Sequence, residues 1–170
     1  MKILFTGACG VFVKYLAESL PADWQKNIFL ADMNLNKLRK IKKYKIIHIP
    51  KATDLNFTNK IANVIKNNQI KIVVSVVDEE LLKLSRLSKK LKFVVIQPKY
   101  NFISCCLDKY QCGEKLYNEG INNYKTYLLS NYENEFQFPI ILKPRHGRGS
   151  RGVYIVKNLK SFNLQKKKTK

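Results

Sequence analysis

Ile70-Lys71-Ile72-Val73-Val74-Ser75-Val76-Val77 (residues 70–77, IKIVVSVV) is the stretch that decides the fold. β-Branched residues dominate it, and such side chains favour extended backbone. It is apolar at nearly every position, as a strand buried on both faces must be. Asp78-Glu79-Glu80-Leu81 follows, and Asp78 is placed to cap a helix over residues 79–91. A strand of this kind leading straight into a helix is the building unit of a parallel, helix-covered sheet.

The flanking sequence repeats the unit. Residues 2–6 (KILFT) read as a strand, Gly7 and Gly10 as a turn, and residues 11–20 as a helix stopped by Pro21. Its apolar positions at helical spacing are Val11, Tyr15, Leu16 and Leu20. A second strand is expected over 28–31, a short helix over 34–41, and a third strand over 44–49 before Pro50. Asp54 or Asn56 can cap the next helix, whose apolar face is Phe57, Ile61, Val64 and Ile65. A fifth strand over 93–96 ends at Pro98. Strands joined by helices must pair in parallel through right-handed crossovers. Residues 1–98 are therefore expected to form an α/β, Rossmann-like parallel sheet.

After Pro98 the texture changes. Residues 101–120 read as helical, with Asp108 and Lys109 near the start of the main segment and Gly120 as its C-cap. Residues 124–129 are a candidate strand. Residues 138–143 and 152–156 form a β-hairpin with a long Gly-rich tip. Residues 99–160 thus make a second, α+β lobe. Residues 161–170 carry little apolar content and are expected to be a disordered basic tail.

The formal net charge of +20 comes mostly from lysine, accompanied by many asparagines and isoleucines, as an A/T-rich coding sequence produces. The lysines are spread along the chain; Lys166, Lys167, Lys168 and Lys170 form the one dense cluster. Nucleic-acid recognition predicts clustered Arg and Lys with interleaved aromatics, so no specific nucleic-acid partner is expected. Nonspecific adhesion to polyanions at low salt is expected regardless of function. No apolar run approaches the roughly 20 residues of a membrane span, and no signal peptide is legible, so no membrane partner and a cytoplasmic location are expected. Cys9, Cys105, Cys106 and Cys112 lack metal-ligand spacing and read as reduced thiols; no residue is assigned to a metal.

Chemistry is concentrated in the hairpin tip, Lys143-Pro144-Arg145-His146-Gly147-Arg148-Gly149-Ser150-Arg151-Gly152-Val153. Glycines let backbone approach a ligand closely, and successive N–H groups there make an anion-binding concavity. Ser150 adds a hydroxyl, Lys143 a point charge at the end of the incoming strand, and His146 a ring within reach of phosphate. No Gly-Lys-Ser/Thr leads into a helix, so this is not a Walker A loop.

The segment resembles the small nucleotide-binding lobe of ATP-grasp proteins, particularly relatives of the carbamoyl-phosphate synthase large subunit. Lys143 matches the basic residue that contacts ATP phosphates; Gly147, Arg148, Gly149, Ser150, Arg151, Gly152 and Val153 match the loop that folds over them. Cys106-Leu107-Asp108-Lys109-Tyr110, followed by Gly120-Ile121 and Thr126, is similar to the Asp-Lys helix that opens this lobe, giving Lys109 a phosphate contact. The resemblance implies ATP and Mg²⁺ as cofactors and ligation of a carboxylate to an amine or ammonia through an acyl phosphate. It also implies that the metal ligands and the adenine-contacting segment come from later positions than this chain reaches. On that ground the chain is expected to be truncated, inactive alone, and completed by a separate polypeptide if at all.

Two further elements carry substrate expectations. Asp78 and Glu79 lie at the end of the strongest strand and resemble an acidic element of synthase-like relatives. Gly7 and Gly10, in the first turn, are placed to face an acceptor substrate. The rival reading makes the first turn a dinucleotide site, with Asp32 as the ribose-binding acid and NAD(P) as cofactor. Its spacing is G-x-x-G rather than G-x-G-x-x-G, and Val13 stands where the third glycine belongs. A basic nucleic-acid-binding module is the other alternative.

Overall fold

The computed structural model describes residues 1–131, 137–147 and 149–168. The chain divides into two compact units, Met1–Ile103 and Ser104–Lys170.

The first unit is built on five strands: β1 (Ile3–Thr6), β2 (Ile28–Asp32), β3 (Lys45–His48), β4 (Ile72–Ser75) and β5 (Val94–Val95). Their order is β3-β2-β1-β4-β5, and every pairing is parallel. The connecting helices are α1 (Val11–Ser19), α2 (Ala22–Gln25), α3 (Leu35–Leu38), α4 (Phe57–Asn67) and α5 (Asp78–Leu91). Alternation along the strands sorts the core into two layers. Ile3, Phe5, Ile28 and Leu30 pack with Val13 and Ala17 of α1 and Leu38 of α3. Leu4, Phe29, Ala31 and Val73 pack with the apolar faces of α4 and α5. The sheet is thus covered on both sides, as its unbroken apolar runs require.

The register pairs Thr6 with Ser75. From β1 the chain winds outward to β2 and β3, then returns to β4 on the other side and continues to β5. The carboxyl ends of β1 and β4 therefore flank the switch point, where open α/β sheets form their ligand crevice.

Two local expectations fail in this unit. Val11 and Tyr15 of α1 are 73% and 64% exposed, whereas Val13 and Ala17 are fully buried. Val13 and Ala17 stand four residues apart on one helix face, and that face meets the sheet in place of the one carrying Val11 and Tyr15. Asp78 does not cap α5: Val77 holds the N-cap position without a side-chain bond, and Asp78 is the first helical residue.

Helix α6 (Tyr100–Leu107) leads into the second unit, which holds α7 (Lys109–Asn118), a 3₁₀ turn (Leu129–Asn131), β6 (Ile140–Leu142), β7 (Tyr154–Val156) and α8 (Leu159–Lys168). Gly120 follows the C-cap residue Glu119 at a φ of 67°. Its N–H bonds Tyr117 O at 3.0 Å and Ile121 N–H bonds Leu116 O at 2.9 Å, a Schellman ending. β6 and β7 pair antiparallel, with Ile141 opposite Ile155.

Residues 124–128 are not a strand. Thr126 packs instead on Gly113 of α7, where an added Cβ would lie 2.3 Å from the threonine Oγ1. The expected disordered tail is also corrected through residue 168, which α8 reaches; Thr169 and Lys170 lie outside the described residues. Asn158 Oδ1 accepts from Ser161 N at 2.9 Å, and Ser161 Oγ lies 3.2 Å from Asn158 N. That reciprocal cap starts the helix, and Phe162, 1% exposed, anchors it.

Candidate functional site

In the second unit the start of α7 is stitched to the first half of the hairpin loop. Asp108 is the N-cap; its Oδ1 accepts from Tyr110 N and Gln111 N, each at 3.1 Å. The same carboxylate takes Arg145 in a fork: Nε lies 2.9 Å from both oxygens and Nη2 2.7 Å from Oδ2. The guanidinium sits 5.5 Å above the Tyr110 ring. Arg145 O accepts from Lys109 N at 3.0 Å. The Lys109 amine donates to Gly147 O at 2.6 Å. His146 Nδ1 lies 3.1 Å from Leu107 O; a carbonyl only accepts, so that nitrogen carries the proton.

Asp108 is 5% exposed. Hydrogen bonding from Arg145 holds its pKa down, from 3.8 to about 2, against the opposing effect of burial. The Arg145 guanidinium is correspondingly raised by Asp108. A depressed carboxylate stabilises the folded state fully above its ordinary value and loses that contribution as pH falls through its folded value. The staple therefore persists throughout the neutral range.

Gly147, Gly149, Ser150 and Gly152 are exposed and have positive φ, at 133°, 63°, 56° and 71°. A Cβ built on Gly147 or Gly149 would meet nothing within 4 Å beyond its chain neighbours, so the positive φ, not space, is what favours glycine there. A Cβ on Gly152 would lie 2.9 Å from Pro144 Cγ, so the loop's two ends touch and only glycine fits. Lys143 follows β6 directly and is exposed, and Val153 precedes β7. Arg148 lies outside the described residues. Lys109, His146 and Gly147 are thus brought together. Gly149, Ser150 and Gly152 lie further along the same loop.

Asp108 and Arg145 are not legible as partners in the sequence, because they stand 37 residues apart. Ile141 and Ile155 were also missed; they are register partners on one sheet face, 64% and 71% exposed. The parity of the strand was the available signal.

In the first unit, Gly7, Gly10, Asp78 and Glu79 do lie at the carboxyl ends of β1 and β4. Asp32 is engaged locally: Oδ2 accepts from Cys9 N at 2.9 Å and Oδ1 from Asn34 N at 2.8 Å. It organises two turns, which accounts for the acid without a ribose. The Cys9 thiol is pushed up to about 11 by burial and by Asp32, which makes it a poor nucleophile.

The acidic element hides its third member. Asp78 and Glu79 are exposed, but Glu80 is 4% exposed and accepts from Ser75 Oγ at 2.8 Å. Burial raises its pKa, opposed by the hydroxyls of Thr6 and Ser75. A raised carboxyl contributes stability below its ordinary value and loses it as pH rises through the folded value. Glu80→Gln keeps an acceptor for Ser75 and removes the buried charge. The variant is expected to unfold later than the parent at neutral pH, with the advantage vanishing below about pH 4.5. Denaturation followed at a series of pH values checks this; parallel profiles would contradict the buried-charge account.

No protein-family model matches the sequence, and no curated protein does either. Solved structures do resemble it. The biotin carboxylase domain of Hydrogenobacter thermophilus 2-oxoglutarate carboxylase, solved with MgADP, ADP and bicarbonate, is 15% identical at a TM-score of 0.77, over 98% of this chain and 40% of that one. L-amino acid ligase from Bacillus licheniformis is 14% identical at 0.69, over 99% and 42%. N5-carboxyaminoimidazole ribonucleotide synthetase from Thermotoga maritima is 17% identical at 0.60, over 96% and 43%. All three are ATP-grasp proteins, and the chain spans less than half the length of each. Over nearly its whole length, then, this chain has the α/β fold found in ATP-grasp proteins.

Proposed function

We propose that the chain is the phosphate-gripping portion of an ATP-grasp ligase that joins a carboxylate to an amine or ammonia, similar to the carbamoyl-phosphate synthase branch. One observation carries the reading: the Lys109 amine meets the Gly-rich loop at Gly147, so a cation stands beside glycines that suit close approach of an anion. In this reading Lys109 and Lys143 take phosphate oxygens. Gly147, Arg148, Gly149, Ser150 and Gly152 close over them, and His146 and Val153 complete the surround. The exposed Ile141 and Ile155 supply an apolar face beside the grip, suited to a purine ring.

Mg²⁺ belongs to the proposed chemistry, where it neutralises phosphate charge. Among the described residues no group of three or more His, Cys, Asp or Glu can hold a metal. In this reading the metal ligands and the adenine-contacting part of the cleft are supplied by elements other than the grip described here. The edge holding Gly7, Gly10, Asp78 and Glu79 is proposed for the acceptor substrate. The NAD(P) alternative is disfavoured by the engagement of both Asp32 oxygens.

The test is an amide-shift titration with ATP at physiological salt. Gly147, Gly149, Ser150 and Gly152 are expected to shift. Lys109→Ala and Lys143→Ala are each expected to weaken the response by roughly tenfold or more, the usual loss for a charged hydrogen bond. Shifts spread evenly over surface lysines and abolished by salt would instead indicate polyanion adhesion.

A further inference from the structure

We propose that Asp108 and Arg145 are positioning residues: their ion pair locks residues 145–147 to the start of α7, holding the Lys109 amine at the loop's entrance. The inference rests on the phosphate-grip reading for its function, but its geometry stands apart from that reading.

Four contacts join the two short segments. They are the Asp108–Arg145 fork, Lys109 N on Arg145 O at 3.0 Å, Lys109 Nζ on Gly147 O at 2.6 Å, and His146 Nδ1 with Leu107 O at 3.1 Å. The fork is the strongest of these, being bidentate and charged at both ends. It also comes first along the loop, at Arg145. An amine already hydrogen-bonded to the loop has lost its rotamer freedom before any anion arrives. An incoming oxyanion competes with the Gly147 carbonyl for that amine.

Two variants separate positioning from simple support of the helix. Asp108→Asn keeps an N-cap acceptor for Tyr110 and Gln111, since Asn caps as well as Asp, but gives up the charged fork. Arg145→Ala removes the fork and leaves the cap intact. Arg145→Lys offers a point charge without the planar fork.

The experiment measures amide exchange at Lys109 in the full chain, alongside helix content and ATP titration. Arg145→Ala and Asp108→Asn are both expected to speed Lys109 exchange by about tenfold or more, with helix content unchanged and Arg145→Lys intermediate. Unchanged exchange in Arg145→Ala, or loss of α7 in Asp108→Asn alone, overturns the proposal. If the parent chain binds no ATP while exchange responds as expected, the phosphate-grip reading fails and the staple stands. If ATP binds equally well to parent and Arg145→Ala, the positioning role fails while the reading survives.

Discussion

Replacing Phe57 by alanine is expected to cost the first unit about 3–5 kcal/mol, the usual range for deleting a buried aromatic ring. Phe57 opens α4 and is completely buried among Leu4, Phe29, Val73 and the apolar residues of α4 and α5. Close packing leaves such a ring no room to be replaced by relaxation, so a cavity remains. Its edge is fixed as well: the Lys83 amine lies 5.6 Å from the ring centre and donates to Ala52 O. Truncation therefore frees a loop contact along with the core volume. Because domains hold only about 5–15 kcal/mol in reserve, the variant is expected to be partly unfolded at modest temperature. Trp24, the only tryptophan, lies in this unit and reports its unfolding in urea independently of the second. Leu55, 96% exposed two residues earlier, is the control: Leu55→Ala is expected to stay within about 0.5 kcal/mol of the parent. A Phe57→Ala midpoint no lower than that of Leu55→Ala would overturn the assignment of this core.

The parts of the fold that could be read in advance are those whose signal is local and periodic. Phe57, Ile61, Val64 and Ile65 recur at helical spacing and are all buried. The apolar runs at residues 2–6 and 70–77 became adjacent parallel strands. Errors arose where tertiary contact outweighs pattern. In α1, Val11 with Tyr15 and Val13 with Ala17 are both apolar pairs at helical spacing, and only packing on the sheet decides that the second pair turns inward. At the C-terminal end, low apolar content concealed a reciprocal Asn158–Ser161 cap and one anchoring ring, Phe162. Residues 124–128 have β-forming composition, yet Thr126 is taken up in packing on Gly113 of α7. In the candidate site, lysines and glycines were legible as types suited to phosphate. The pairing of Asp108 with Arg145 was not, because it spans 37 residues and depends on folding to exist.

Gly7→Ala is the second large effect expected, and it separates two explanations for a glycine in the first turn. Gly7 has a φ of 68°, where any other residue costs about 1–2 kcal/mol. A Cβ there would also lie 2.8 Å from Cγ2 of both Val76 and Val77, an overlap of the kind that costs about 1–3 kcal/mol. Together the two terms predict a loss of roughly 2–5 kcal/mol. Gly10 differs: as N-cap of α1 its φ is −77°, and an added Cβ meets only Gly7 O at 3.3 Å. Gly10→Ala is therefore expected to cost under about 1 kcal/mol. Urea midpoints followed by Trp24 fluorescence compare the two directly. Should Gly10→Ala prove the more damaging, the packing account of this turn fails. With the predicted order, Gly7 is required by the valines after β4, and a ligand is not needed to explain it. Gly10, tolerant of a methyl group, then becomes the position at which to probe acceptor binding without unfolding the sheet.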